Sequence, residues 1–515
     1  MKENKTSSIL GISSATFLSR IFGLIREQIF AFLLGATNFA DAFLVAFRIP
    51  NLLRDLFAEG ALSTAFIPTF THYLIKKGKK KAFYLSNLVI NFLIVIISIL
   101  IILGYIFTPE IVKTIAPGFL KIKEKFYFTV IMTRILLPFL LFVSLASVIM
   151  GILNVHHKFF IPAFAPAMFN ITIISGGIII IFLNPSDYNK AILWAVAAFI
   201  GGLMQLIIQL PTAIKLGYKY QPVFDIKFKE EGLKRILKLM LPAVIGLAAV
   251  QINIIINTRL ASLLPVGSVA YLNYGFRLIQ LPIGVFGVAI ATVTTAYISK
   301  NIVKNDIAKL KKNIADAIKL TSFLTFPVII YYLLLGNTII ALLFQHGRFN
   351  LNDTVNTFKA LQFYAFALFF YSCVKILAPV FYAVNKSYKA ILASILAVIT
   401  NLAVSLSTYK IIGIKGLALG VSAGAFMNFL FLFINFVSYF GIIKHQKIFV
   451  SIVKHLFSSL CMGIVGFYVY ILLKKYNILI SALIPIISAG ITYIGLNCLL
   501  KSEEFSKIIG LIKNS

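Results

Sequence analysis

Cysteine, acidic residues and long hydrophilic stretches are all scarce in this 515-residue chain, and each scarcity excludes something. The three cysteines, Cys373, Cys461 and Cys498, lie in or beside apolar runs and form no CxxC pair. That argues against a disulfide framework, a thiolate metal site and redox chemistry. No HExxH, Walker or nucleophile-elbow pattern occurs, and His156-His157 stands in a loop without a third ligand, so neither a metal nor a cofactor is expected. Sixteen acidic residues face 48 lysines and arginines, a formal charge of +32. Such an excess suggests nucleic acid at first, but most lysines sit in short loops beside apolar spans rather than in a basic domain, so membrane topology explains them better. No hydrophilic segment is long enough to fold as a domain of its own.

What the chain does have is apolar length. It is 60% hydrophobic, with a mean hydropathy of +0.96. That is well above the roughly half apolar content of soluble domains, so apolar surface must face lipid as well as a core. The runs are about twenty residues or longer and lack the short alternation of outer-membrane strands, so helices must satisfy the backbone. The expected fold is an all-α polytopic membrane protein with about fourteen spans: 8–34, 40–74, 83–107, 126–155, 162–183, 189–213, 233–260, 268–299, 313–337, 356–384, 388–409, 413–440, 450–473 and 478–500.

The first run carries Arg20, Arg26 and Glu27 and no small-residue cleavage site, so it reads as a retained helix rather than a signal peptide. Lysine clusters at 76–81, 215–235 and 300–312 place both termini in the cytoplasm, although Lys113, Lys121, Lys123 and Lys125 break the pattern in an outer loop.

A repeat is visible. Ala46-Phe47-Arg48 is echoed 229 residues later by Gly275-Phe276-Arg277, while Asn154, Lys158 and Asn170 recur 231 residues later as Asn385, Lys389 and Asn401. Both echoes land six helices on, which favours two six-helix lobes sharing one orientation, with two helices appended. The expected domains are 1–215, 216–445 and 446–515, with a site between the lobes.

With Arg235 counted in the 215–235 cluster, seven of the nine arginines fall within these spans: Arg20, Arg26, Arg48, Arg54, Arg134, Arg259 and Arg277. In so lysine-rich a chain, arginine is expected where its planar fork grips phosphate and stays charged when desolvated. Each such charge near the bilayer centre costs on the order of 2.5–3.5 kcal/mol on insertion scales, so a group of them needs partners or a wet cavity. On helix 2, Asp41, Arg48, Asp55 and Glu59 share a stripe while Arg54 points elsewhere, and Pro50 is expected to kink or break the helix. On helix 1, Arg20 and Glu27 share a face, leaving Arg26 less neutralised. Carboxylates in the later spans look essentially absent. The competing reading is helix-to-helix salt bridging or snorkelling, and it is strongest for Arg134 and Arg259; Lys375 is a second-tier cavity candidate and Lys319 a snorkelling one.

Several segments resemble the MurJ (MviN) lipid II flippases of the multidrug/oligosaccharidyl-lipid/polysaccharide exporter superfamily. They include Ser19-Arg20 through Gly23 to Arg26, Asp41-Ala42-Phe43, Pro50-Asn51-Leu52-Leu53-Arg54, Phe57-Ala58-Glu59-Gly60-Ala61, Ala116-Pro117-Gly118-Phe119, Ile161 to Pro166, Leu343 to Phe349 and Leu377-Ala378-Pro379. The resemblance implies two six-helix lobes around a cationic cavity, a final helix pair grooved for a polyprenyl tail, and lipid II (the undecaprenyl-pyrophosphate-linked disaccharide-peptide) as cargo in the bacterial inner membrane. It places the family's functional arginines at Arg20, Arg26, Arg54 and Arg277, and its acidic positions at Asp41 and Glu59. Arg48 joins this substrate-binding set, with Ser19, Glu27, Asp55 and Lys375 behind it.

Two departures stand out. Phe276 replaces an acidic residue that often precedes the helix 8 arginine, and the C-terminal lobe lacks the carboxylates some members use for sodium. The coupling source is thereby open among protons, another ion and the membrane potential. The expected partners are lipid II, membrane lipids and a coupling ion, with no nucleic acid. The expected activity is transport without enzymatic chemistry, by alternating access. The rivals are an exporter of another polyprenyl-linked glycan or a drug, and a membrane glycosyltransferase, which would need a catalytic carboxylate on a substantial outer loop.

Overall fold

A computed structural model describes residues 5–225, 227–442 and 445–506; the side chains of 5–13, 57–59, 61, 243, 245–250 and 445–447 lie outside the description. Every regular element among these residues is helical. The chain divides into two compact units, Met1–Ala270 and Tyr271–Ser515.

The first unit runs α1 (Lys5–Leu34), α2 (Asn38–Arg54), a π-helical segment (Asp55–Leu62), α3 (Ser63–Lys76), α4 (Gly78–Ile106), α5 (Thr108–Ile115), a 3-10 turn (Pro117–Lys121), α6 (Lys123–Leu136), α7 (Phe139–Val155), α8 (Phe160–Leu183), α9 (Asp187–Ile207), α10 (Leu210–Lys215) and α11 (Glu231–Ser262). The boundary between units falls in the first turn of α12 (Ser268–Pro282). The second unit continues with a π-helical segment (Ile283–Gly287), α13 (Val288–Val303), α14 (Ile307–Phe344), α15 (Leu351–Ala365), α16 (Ala367–Ala383), α17 (Ser387–Ile412), α18 (Ile414–Phe440), α19 (His445–Leu473) and α20 (Ile478–Leu499).

Among the described residues ten helices are long and apolar enough to cross a membrane, and α15 with α16, bent by 40°, makes an eleventh if the pair is one span. These correspond to eleven of the fourteen expected spans. The other three, 8–34, 40–74 and 233–260, are helical and include residues that lie outside the description; they are the segments that carry Arg20, Arg26, Arg48, Arg54 and Arg259.

Pro50 does not break its helix: α2 runs through it to Arg54, and the irregularity comes just afterwards as the π-helical turn at Asp55. The second π-helical segment starts 228 residues further on, directly after Pro282, so the two halves carry the same rare feature at matching positions. π-Turns of this kind are uncommon and tend to mark functional stretches of helix.

Within the first unit, Leu62, Phe66 and Phe70 of the second span pack with Ile90 of α4, Val148 and Ile152 of α7 and Met240 of α11. In the second, Ile314 and Ile318 of α14 pack with Ile376 and Val380 of α16 and Leu432 and Phe436 of α18.

The Ala116-Pro117-Gly118-Phe119 motif has a plain packing reason. A Cβ on Gly118 would lie 1.9 Å from the backbone carbonyl oxygen of Ser262, at the end of α11, and the Gly118 N–H donates to Ser262 Oγ at 3.3 Å. Backbone pressing on backbone has little room to yield, so Gly118→Ala should destabilise the protein by about 1–3 kcal/mol, the usual range for overpacking. Thermal unfolding in detergent would read it, and an unchanged midpoint would mean that the loop and the end of α11 are not in contact.

Candidate functional site

The arginine-bearing helices of the first unit hold their charges in specific pairs. Arg26 on α1 extends one Nη toward Glu27 Oε1 at 2.5 Å and the other toward Asn170 Oδ1 on α8 at 3.0 Å, with its guanidinium carbon 5.8 Å from the centre of the Phe169 ring. Asn170 is itself oriented by donating to the Ser19 carbonyl at 3.1 Å. The side chains of Arg26 and Glu27 are 15% and 8% exposed, so this pair is well sheltered. The shared helical face of Arg20 and Glu27 does not decide the pairing. Glu27 engages its sequence neighbour Arg26, because a long guanidinium side chain reaches sideways across the 100° that separates adjacent residues. Arg20 is exposed and has no hydrogen bond or ion pair among the described residues.

Helix α2 also departs from its expected stripe. Asp41 does not face Arg48 but is fully buried against α6, accepting from Lys125 Nζ at 2.6 Å. Its two oxygens also accept from the backbone N–H of Gly267 (2.8 Å) and Ala270 (2.9 Å), so the carboxylate caps the start of α12. A helix N-terminus presents unsatisfied N–H groups and partial positive charge, which is where an anion is most stable. Lys125, an outlier in the charge topology of the loops, is the buried counter-ion of Asp41. Arg48 donates to Thr258 Oγ1 on α11 at 2.8 Å. Arg54 grips Asp55 through Nε (3.2 Å) and Nη2 (2.9 Å), and Gln251 of α11 donates to the other Asp55 oxygen at 3.3 Å. The side chain of Glu59 lies outside the described residues.

The remaining intramembrane arginines of the first unit play structural parts. Arg134 donates to the Tyr105 carbonyl at 3.3 Å and lies over the Tyr105 ring, and Arg259 donates to the Thr114 carbonyl. In the second unit Arg277 is exposed on α12 and donates weakly to Gln280 at 3.4 Å, and Lys375 on α16 is exposed.

Sequence reasoning missed two features. The first is Asn170, whose role on Arg26 was signalled only by its echo at Asn401. The second is an ionic cluster around the buried Lys319, Glu504 and His455 in the second unit. Far from snorkelling, Lys319 of α14 is ion-paired with Asp316 (3.1 Å), Glu503 (2.9 Å) and Glu504 (3.5 Å), and His455 of α19 contacts Glu504 at 3.1 Å. Asp316 corrects the expectation that the later spans carry essentially no carboxylate. Burial raises the Glu504 pKa, but hydrogen bonding to His455 and its neighbours outweighs that and brings it down to about 2.

Comparison with known proteins places these residues in context. A family model for the lipid II flippase MurJ matches residues 30–487. A probable lipid II flippase MurJ from Buchnera aphidicola subsp. Acyrthosiphon pisum is 33% identical over 476 residues, covering 92% of each chain. The lipid II flippase MurJ of Burkholderia cenocepacia is 33% identical over 439 residues, 84% of each chain. Among solved structures, a lipid II flippase MurJ in an inward closed conformation superposes with a TM-score of 0.80 at 28% identity, covering 95% of this chain and 98% of that one. An inward-facing multidrug resistance MATE family transporter of the MOP superfamily shares the fold at a TM-score of 0.70 and 16% identity, covering 85% of this chain and 99% of that one. With a family model spanning most of its length and relatives aligned over 92% and 84% of it, the chain belongs to the lipid II flippase MurJ family.

Proposed function

We propose that this protein carries lipid II from the inner to the outer leaflet of the bacterial cytoplasmic membrane by alternating access, without a covalent step. The observation that carries the reading is the two-pronged setting of Arg26. A guanidinium spread between Glu27 and Asn170 over an aromatic ring is a rigid fork of the kind that accepts a phosphate bidentately. Arg54, fixed against Asp55, is a second such fork, while the exposed Arg20 and Arg277 have room to close on a ligand.

Arg20, Arg26, Arg54 and Arg277 are the pyrophosphate-binding residues. Arg48, Asp55 and Glu59 tune the charge around it, with Lys375 behind, and Asp41 holds the start of α12. Transport halves of 1–215 and 216–445, with 446–515 appended, and both termini in the cytoplasm complete the reading. It is supported by the lysine-rich loops and by the π-helical segments at matching positions.

The test is translocation of labelled lipid II in proteoliposomes, with proton gradient, sodium gradient and voltage varied independently. Lipid II should cross at least tenfold faster than in protein-free vesicles, with a dependence on one of the three that identifies the coupling source. Failure under every gradient, alongside transport of a cationic dye, would point to a drug exporter of the same fold instead.

A further inference from the structure

Between α10 and α11 the chain crosses one end of the first unit as an extended segment that belongs neither to a span nor to the arginine set. Two asparagines one helical turn apart on α4 pin it in place. Tyr218 Oη donates to Asn87 Oδ1 at 2.7 Å, and Asn87 Nδ2 donates to the Lys219 carbonyl at 3.0 Å. One turn further on, Tyr220 Oη donates to Asn91 Oδ1 at 2.7 Å, and Asn91 Nδ2 donates to the carbonyls of Gln221 (2.9 Å) and Val223 (2.8 Å). Both asparagines and Tyr218 are buried. The far end is closed by Asp225, whose carboxylate accepts the backbone N–H groups of Glu230 and Lys229 and is held below the usual range by them. Tyr73 then donates to Glu230 and accepts from the Gly232 N–H at 2.8 Å.

This anchoring is built to hold the segment still, and what the segment displays outward is unusual. Tyr220, Phe224 and Phe228 are 54%, 59% and 39% exposed, interleaved with the exposed lysines Lys219, Lys227 and Lys229. Asp225 is the only acid between 216 and 229, and its oxygens are turned to backbone. The adjoining turn between α3 and α4 adds exposed lysines at 76, 77 and 79–81. The span Asp187–Lys215 ends directly before the segment and α4 begins at Gly78, shortly before Asn87, so the segment lies beside the ends of two spans, where hydrocarbon is expected to give way to water. Aromatic rings beside basic residues at that depth are the composition of an interfacial anchor, with rings at headgroup level and lysines on lipid phosphates.

We propose that this strap is a docking surface for the anionic phospholipid headgroups of the adjacent leaflet. Its three rings enter the interface, and Lys219, Lys227 and Lys229 neutralise phosphates. Since the segment is already fixed by Asn87 and Asn91, little ordering entropy is lost on contact. The surface is independent of the arginine set, so it stands whether or not lipid II is the cargo.

The test uses the full chain reconstituted in bilayers, with Phe224→Trp in a Trp194→Phe background. Quenching by brominated phosphatidylglycerol diluted in phosphatidylcholine should be at least twofold stronger than quenching by brominated phosphatidylcholine at the same mole fraction in phosphatidylglycerol. The triple variant K219Q/K227Q/K229Q should remove that difference. Equal quenching by both lipids would overturn the headgroup preference. No quenching, with red-shifted emission, would put the strap in water as a surface for a soluble acidic partner and overturn the proposal altogether. Amide exchange on the unmodified chain provides a second reading. Exchange over 219–225 and 227–229 should slow several-fold in phosphatidylglycerol nanodiscs relative to phosphatidylcholine ones, and an identical rate in both would count against the strap.

Discussion

Asp41→Asn is expected to destabilise the first unit by about 3–5 kcal/mol, the usual cost of removing one partner from a buried ion pair, and to lower the thermal midpoint in detergent by on the order of 10 °C. The carboxylate does two things at once. It neutralises Lys125, whose side chain is 5% exposed, and it accepts the N–H groups of Gly267 and Ala270 at the start of α12. An amide leaves the ammonium buried without a counter-charge and turns an NH2 group toward other donors. The neutralised pair isolates the charge effect: adding Lys125→Met to Asp41→Asn removes the orphaned cation and should recover at least half of the lost stability. Lys125→Met alone should cost less than Asp41→Asn alone, because the remaining carboxylate still faces a helix N-terminus. A double variant no more stable than Asp41→Asn would show that the ion pair contributes little and that capping is the whole effect. Because α12 also carries Arg277, the variant tests whether a position in the second span governs a helix more than two hundred residues away.

How much of this was legible in sequence depended on what kind of information each feature used. Helix identity is local, and eleven of the fourteen expected spans correspond to helices apolar enough to cross a membrane, because hydropathy over about twenty residues reports the solvent directly. The other three contain five of the intramembrane arginines, several of whose partners lie far away in the chain. Helical-wheel reasoning describes one helix at a time. It therefore placed Arg48 on one stripe with Asp41 and could not reach Lys125, which is 84 residues distant in sequence. It also separated Arg26 from Glu27, since a wheel draws side chains as radial spokes and ignores the lateral reach of arginine. Pro50 shows the same limit. The removal of one N–H is certain from sequence, but whether the helix kinks there or opens into a π-turn a few residues on depends on the surrounding packing. Only the repeat carried long-range information. It marked Asn170 as worth keeping; its echo, Asn401, accepts from Ser405 Oγ within its own helix.

Arg26→Lys should reduce lipid II translocation tenfold or more, equivalent to about 1.4 kcal/mol or more of lost stabilisation, while leaving folding intact. Lysine keeps the positive charge, so a cavity that works only through its potential would tolerate the change. It cannot keep the fork: one Nη meets Glu27, the other meets Asn170, and the plane lies over Phe169, a set of contacts that a compact ammonium on a flexible stem does not reproduce. Arg54→Lys should behave similarly, since two guanidinium nitrogens engage Asp55. Arg20→Lys and Arg277→Lys test the exposed members of the set, where the ligand would supply the geometry. Arg134→Lys and Arg259→Lys serve as internal references, because those guanidiniums address backbone carbonyls and should remain within about twofold of the parent. Flux in proteoliposomes, read with monodispersity on gel filtration, separates loss of transport from loss of fold. If all four lysine variants of Arg20, Arg26, Arg54 and Arg277 transported at the parental rate, bidentate phosphate recognition would be wrong, and positive potential alone would have to account for the selection of cargo.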